Sequence, residues 1–142
     1  MTPQERAERS AAAMWAGDAA SQALGMRILE VGPGRATLEM VVRPDMLNGQ
    51  AIGHGGLTFT LADSAFAFAC NSYNRRTVAR LCEIRFRAPT REGDRLVAEA
   101  VEVSRDERDG RYAVTVRCDG TEVASFAGQS REVGGTLFDE EV

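Results

Sequence analysis

"HGGLTFTLADSAFAFACN", residues 54–71, is the stretch that decides the fold. From Gly56 to Ala69 it would make about four turns of helix, apolar on almost every side. A helix with no polar face has to be covered all round. One charged residue, Asp63, stands at its centre, and the only histidine of the chain, His54, stands at its start. Asp is a poor mid-helix residue, and burying its charge costs on the order of several kcal/mol unless it is compensated.

Outward from this helix the pattern changes period. Residues 4–16 are rich in helix formers, with Pro3 suited to a first turn. Ala19 to Leu24 reads as a second short helix ending at Gly25. Arg27–Val31 and Arg35–Arg43 read as strands separated by Gly32-Pro33-Gly34. In the second of them Ala36, Leu38, Met40 and Val42 alternate with polar residues, as on a half-buried sheet. Residues 44–53 form a loop long enough to carry function. After the apolar helix the sequence predicts only strands: Thr77–Ala88, Asp94–Ser104, Arg111–Cys118 and Glu122–Arg131. Asp109-Gly110 and Asp119-Gly120 are read as turns, and the acidic tail after Gly134-Gly135 as frayed.

The expected fold class is therefore α+β, six antiparallel strands curling around one central helix, with a short helical N-terminus. A single domain is expected over residues 1–142: a helical segment 1–25, a core 26–132 and a tail 133–142. One sheet on one helix leaves much apolar area uncovered, so pairing with a second copy is expected.

Composition narrows the function. The 142 residues are 44% hydrophobic and 27% charged, with a net charge of −4, which excludes a disordered polyampholyte or a basic nucleic-acid binder. All 17 basic residues are Arg, and most surface Arg are simply solvated. With one His, three Cys and no C-x-x-C, no metal site is expected, and Cys70, Cys82 and Cys118 read as small core residues in a reducing compartment. The opening MTPQERAERS is too polar for a secretory leader. No uncharged apolar run reaches spanning length. A soluble cytoplasmic protein with no nucleic-acid or membrane partner is expected.

The candidate chemistry lies at the two ends of the quoted stretch. His54-Gly55-Gly56 precedes the helix without a Ser, Thr, Asp or Asn cap, so its first N–H groups are expected to lack a side-chain partner. Such a helix N-terminus can hold a developing oxyanion, or it can be an ordinary Gly-rich loop. His54 alone reads as a structural hydrogen-bonder as readily as a site residue, and Asn48-Gly49 as a turn dipeptide. Asp63 has no basic neighbour at i±4. It is either a carboxylate that reaches an Arg on the sheet or a desolvated one kept for acid–base or nucleophilic work. Eight residues separate Gly55 from Asp63, roughly 12 Å along a helix axis. One substrate carbon cannot touch both. Two antiparallel copies side by side would bring Asp63 of one to Gly55 of the other, twice per dimer.

The run MLNGQAIGHGGLTFTLADSAFAFACNS, with the later Gly93-Asp94, Leu96 and Ala98, closely resembles the phenylacetic acid degradation branch of the hotdog-fold thioesterases, across roughly Ala16 to Thr136. The resemblance implies a hotdog fold, assembled as a dimer and as a tetramer through the dimers' sheets. It implies hydrolysis of an acyl-CoA thioester with no cofactor beyond the coenzyme A of the substrate. The Gly55 N–H, helped by Asn48, would polarise the thioester carbonyl. His54 and Gly56 would line the same site, and Asp63 from the partner would act as general base or nucleophile. Phenylacetyl-CoA and ring-hydroxylated relatives would be the substrates. Some relatives hold the water with a Ser or Thr near the third strand, and Thr77 is not assigned that role. Arg75, Arg76, Arg85, Arg87 and Arg91 are all candidates for the CoA phosphates. Phe59, Phe66, Phe68 and Trp15 are candidates for the acyl pocket and equally for the core. Two other readings stand beside hydrolysis: a hotdog hydratase or dehydratase, and an acyl-CoA-binding protein without catalysis.

Overall fold

The computed structural model describes residues 1–140. Its elements are α1 (Pro3–Gly17), α2 (Ala19–Ala23), β1 (Arg27–Gly32), β2 (Arg35–Val41), α3 (Gly55–Cys70), β3 (Thr77–Phe86), β4 (Arg95–Asp106), β5 (Asp109–Cys118) and β6 (Thr121–Glu132), with a single 3-10 turn at Pro44–Met46. The strands form one six-stranded sheet in the order β1-β2-β4-β5-β6-β3, antiparallel throughout.

The helix α3 touches all six strands, most extensively β2, β4 and β5. Six strands laid flat would be roughly 24 Å wide, more than twice the width of one helix. Contact with every strand therefore requires the sheet to curl around α3, as expected. The inner face is built from alternate residues: Ala36, Leu38 and Met40 on β2; Leu96, Ala98 and Ala100 on β4; Tyr112, Val114 and Val116 on β5; Ala124 and Phe126 on β6. Small residues on β4 let the helix sit close, and Phe66 of α3 fills the space above Gly128. One stripe of α3 is left uncovered by the sheet. Gly56, Thr60, Asp63 and Ala67 lie along it at helical spacing and keep solvent contact.

Three expectations are corrected. Asp109 and Gly110 belong to β5, and the β4–β5 turn lies two residues earlier, at Glu107-Arg108, closed by the pair Asp106 and Asp109. Gly110 is glycine for packing: a Cβ there would stand 2.7 Å from Ser130 Oγ and 2.9 Å from the Tyr112 ring. The turn's left-handed residue is Glu107, φ 53°. By contrast Asp119-Gly120 is the tight turn expected, both residues at positive φ, 49° and 81°. The tail does not trail free as far as Glu140; Glu141 and Val142 lie outside the described residues. The Asn74 side chain accepts from the N–H groups of Leu137 and Phe138 and donates to the Phe138 carbonyl. Arg9 of α1 stacks over the Phe138 ring, and Arg6 pairs with Glu140. Last, α3 begins at Gly55, one residue before the expected start.

Candidate active site

The loop before α3 is organised by Asn48. Its Oδ1 accepts from the N–H groups of Gln50, at 2.9 Å, and Ile52, at 3.4 Å, and its backbone pairs with Ile52 and Ala51. This is the Asx turn that Asn-Gly predicts. It also fixes the amide: Oδ1 is occupied, and among the described residues Nδ2 has no acceptor. The loop then closes on the segment after β3, with the Gly53 N–H donating to the Thr90 carbonyl at 2.8 Å.

His54 is the N-cap of α3. Its Nδ1 accepts the Gly56 N–H at 3.2 Å, which places the ring proton on Nε2. The expectation that the first N–H groups lack a side-chain partner is thus corrected for Gly56: histidine takes the place of the usual short polar cap. Leu57 and Thr58 both donate to the His54 carbonyl. The Gly55 N–H remains, and among the described residues it meets no acceptor.

Gly55 and Asn48 share one groove of about 330 Å³, with Thr58 on α3, Phe86 at the end of β3, and Pro89 and Thr90 beyond it among its walls. Two of the residues lining the groove therefore carry unused donors, the Gly55 N–H at a helix N-terminus and Asn48 Nδ2, beside an apolar wall. Two such donors are what a carbonyl oxygen gaining negative charge requires. His54 and Gly56 do not line this groove; they shape the helix end beside it.

Asp63 is elsewhere. It lies two turns along α3 on the uncovered stripe, half-buried, and does not line the groove. Among the described residues no Arg reaches it and no hydrogen bond is formed to it. Of the two explanations open from sequence, the Arg partner is thus absent within the described chain. Burial, and then the negative charge of Asp18, push the Asp63 carboxyl above its ordinary range. Cys70, at the end of α3, is no competing nucleophile: burial pushes its thiol up to about 12, so it stays protonated at neutral pH. Thr77 is held by Asn71, which accepts its N–H and donates to its carbonyl, and its hydroxyl donates to the Arg75 carbonyl.

The sequence did not single out Thr58, Phe86 or Thr90. Phe86 had the clearest signal, an aromatic at a strand end that stays 56% exposed. Thr90 had none, because its proximity to Gly53 arises only when the sheet closes. Among the described residues no group of three or more His, Cys, Asp or Glu is placed to hold a metal ion, and no helix is long and apolar enough to cross a membrane.

Comparison with known proteins bears on the family and the fold. The family model described as thioesterase superfamily matches residues 51–125, which span the end of the Asn48 loop, α3, β3 to β5 and the start of β6. The acyl-coenzyme A thioesterase PaaI of Escherichia coli K12 is 40% identical over 95% of this chain and 97% of its own length. The structure of the E. coli PaaI protein from the phenylacetic acid degradation operon superposes with a TM-score of 0.93 at 39% identity, over 95% of this chain and 99% of that one. A mutant structure of the phenylacetic acid degradation protein PaaI from Thermus thermophilus gives 0.78 at 38% identity, over 80% and 97%. With its sheet curled on α3, a family-model match over more than half its length and 40% identity to such an enzyme over 95% of it, the chain belongs to the thioesterase superfamily of hotdog fold.

Proposed function

We propose that this chain is an acyl-CoA thioesterase that hydrolyses phenylacetyl-CoA and its ring-hydroxylated relatives to the free acid and coenzyme A. The observation that carries the reading is the separation on one helix of two unused, complementary groups. Among the described residues the Gly55 N–H has no acceptor, and Asp63 has no cation. The relatives' names supply the class of acyl group, and the apolar wall of the groove accommodates an aryl ring.

The chemistry follows from the groups. The thioester oxygen accepts from the Gly55 N–H and Asn48 Nδ2, which draws electrons from the carbonyl carbon. Asp63 of the partner subunit removes a proton from water as the water oxygen attacks that carbon. The oxyanion then collapses, the carbon–sulfur bond breaks, and the departing sulfur takes a proton to leave as free CoA. Alternatively the same carboxylate attacks directly, expelling the CoA thiolate, and water cleaves the mixed anhydride; ¹⁸O found in Asp63 after single turnover in ¹⁸O-water would mark that route, with water attacking the Asp63 carbonyl. His54 acts by capping α3 and so aiming the Gly55 N–H.

A dimer with antiparallel α3 helices completes each site. The stripe Gly56, Thr60 and Ala67 is made of small side chains, which lets a second helix approach closely. The edge strand β3 exposes Val78, Leu81 and Phe86, apolar area that a β3–β3 pairing would cover. On the outer face Val41 and Val101 are 47% and 43% exposed, suited to packing one dimer's sheet on another's. Three free cysteines fit a reducing compartment, and we place the reaction in the cytoplasm.

The test is thiol release from a panel of acyl-CoAs. Arylacetyl thioesters are expected to give the highest kcat/KM. Water addition without thiol, or tight binding with neither product, would overturn the reading.

A further inference from the structure

Beside Asp63 on α3 is Ser64, which faces the N-terminal segment. Ser64 Oγ lies 2.8 Å from Ser21 Oγ, Ser21 Oγ donates to Asp18 Oδ2 at 2.7 Å, and the Ser21 N–H donates to Asp18 Oδ1 at 3.0 Å. An ionised carboxylate only accepts, so the proton order is fixed: Ser64 donates to Ser21, and Ser21 donates to Asp18. Both serines are buried, Ser21 at 1% and Ser64 at 9% exposure. Asp18 sits at the junction that ends α1 and begins α2. Its carboxylate is therefore held in one place against the middle of α3.

Capping α2 does not by itself require a charge at Asp18. Ser or Asn would cap α2 as well without a charge. Among the described residues no Arg pairs with Asp18, so its charge acts on Asp63 uncompensated. We propose that Asp18, tethered through Ser21 to Ser64, is a positioning residue that makes Asp63 a stronger base, so that residues 1–25 are part of the catalytic apparatus. The inference rests on Asp63 being the reacting carboxylate.

The raised Asp63 carboxyl agrees in direction, with burial the first cause and Asp18 the second. The other titratable groups near Asp63 are Cys70 on α3 and Cys82 on β3, both felt through the Asp63 charge. Among the described residues the titratable side chain that the inner face of the remaining strands adds is Tyr112 of β5, whose hydroxyl is taken up by Glu102. Asp18 is thus the one fixed charge turned toward the base from a neighbouring element, among the described residues. A carboxylate whose pKa is moved toward the working pH accepts a proton more readily and is still ionised there.

The experiment is a carboxyl ¹³C NMR titration of Asp63, assigned with Asp63→Asn, run beside the pH profile of kcat/KM. Asp18→Asn keeps an oxygen for the Ser21 N–H and removes the charge. Asp63 is expected to titrate at lower pH in that variant, and the acid limb of kcat/KM is expected to move with it, with no loss of Tm at neutral pH. Asp18→Ser, a good cap without charge, serves if Asp18→Asn folds poorly, and the same downward shift is expected. Ser21→Ala keeps the charge and loses the tether, and should move the titration less than Asp18→Asn. An unmoved Asp63 titration in either folded Asp18 variant overturns the proposal. The titration needs no substrate, so a chain silent on every thioester but showing the shift would sink the hydrolysis reading alone.

Discussion

The Phe86 ring occupies the space a side chain on Gly55 would need: a Cβ at Gly55 would come within 3.0 Å of Phe86 Cζ. Glycine there keeps the helix end open on one side and packed on the other. Proline at this position is geometrically admissible. It is the first residue of α3, where proline is favoured, and His54 before it has the extended backbone, φ −67° and ψ 126°, that precedes proline. Gly55→Pro therefore deletes one N–H and asks only a small shift of Phe86. Turnover is expected to fall by about 100-fold or more, the scale of losing one oxyanion donor, with the fold kept by circular dichroism.

If each site is shared, two dead variants should rescue each other. Gly55→Pro homodimers lack the donor in both sites, and Asp63→Ala homodimers lack the base in both. A heterodimer holds one intact site and one doubly broken site. Co-refolded and purified heterodimers are expected to regain up to half the wild-type rate per dimer. No recovery in verified heterodimers would sink the shared-site reading.

Asp63→Asn separates catalysis from stability. The carboxyl is raised above its ordinary value, so the folded chain binds that proton more tightly than the unfolded chain. Stability is then greatest below the unfolded pKa and falls as pH rises through the window between the ordinary and raised values. At neutral pH the ionised Asp63 is a net cost. Asp63→Asn is expected to raise Tm at pH 7 while lowering turnover by about 100- to 10,000-fold. For the wild type, kcat/KM is expected to fall on the acid side at a pH above the ordinary carboxylate range.

Gly128 and Gly49 form a contrasting pair. A Cβ at Gly128 would stand 2.8 Å from Phe66, and Phe66 is wedged between Tyr112 and Phe126 with ring centroids 5.5 and 5.8 Å away. It has nowhere to go. Gly128→Ala is expected to cost about 1–3 kcal/mol by denaturant unfolding. Gly49→Ala meets open space and should unfold with the wild type.

Asn71 joins the end of α3 to the start of β3. Buried at 4% exposure, it accepts the Thr77 N–H and donates to the carbonyls of Ala67 and Thr77. Asn71→Ala leaves the Thr77 N–H and carbonyl without their partner, while the Ala67 carbonyl keeps the residue-71 N–H, and is expected to destabilise by about 1–3 kcal/mol, measured the same way. An effect below about 0.5 kcal/mol would mean water replaces the amide there.

The central helix and the alternation on β2 were plain in the sequence because burial imposes period on residue type. Asp63 stood out for the same reason, as the one violation of that burial. The loop Asn48 and the glycines at 55 and 56 were recognisable as a motif, but the role of His54 as the cap was not, since histidine is an uncommon cap. The partners of the loop were invisible: Thr90 and Phe86 meet it only through the closing of the sheet. Asp109-Gly110 misled because glycine serves two needs, positive φ and close packing, and here Ser130 and Tyr112 impose the second.

The exposed row on β3 has a consequence for the fate of damaged chains. Val78, Leu81 and Phe86 flank backbone groups that no other strand of this chain covers. A chain folded alone would offer that edge to any extended segment it met, the usual seed of aggregation. Substitutions that weaken pairing along β3 should therefore lower soluble yield and activity together. Defects there would be seen as inclusion bodies, whereas defects at Asp63 would be seen as soluble, silent enzyme.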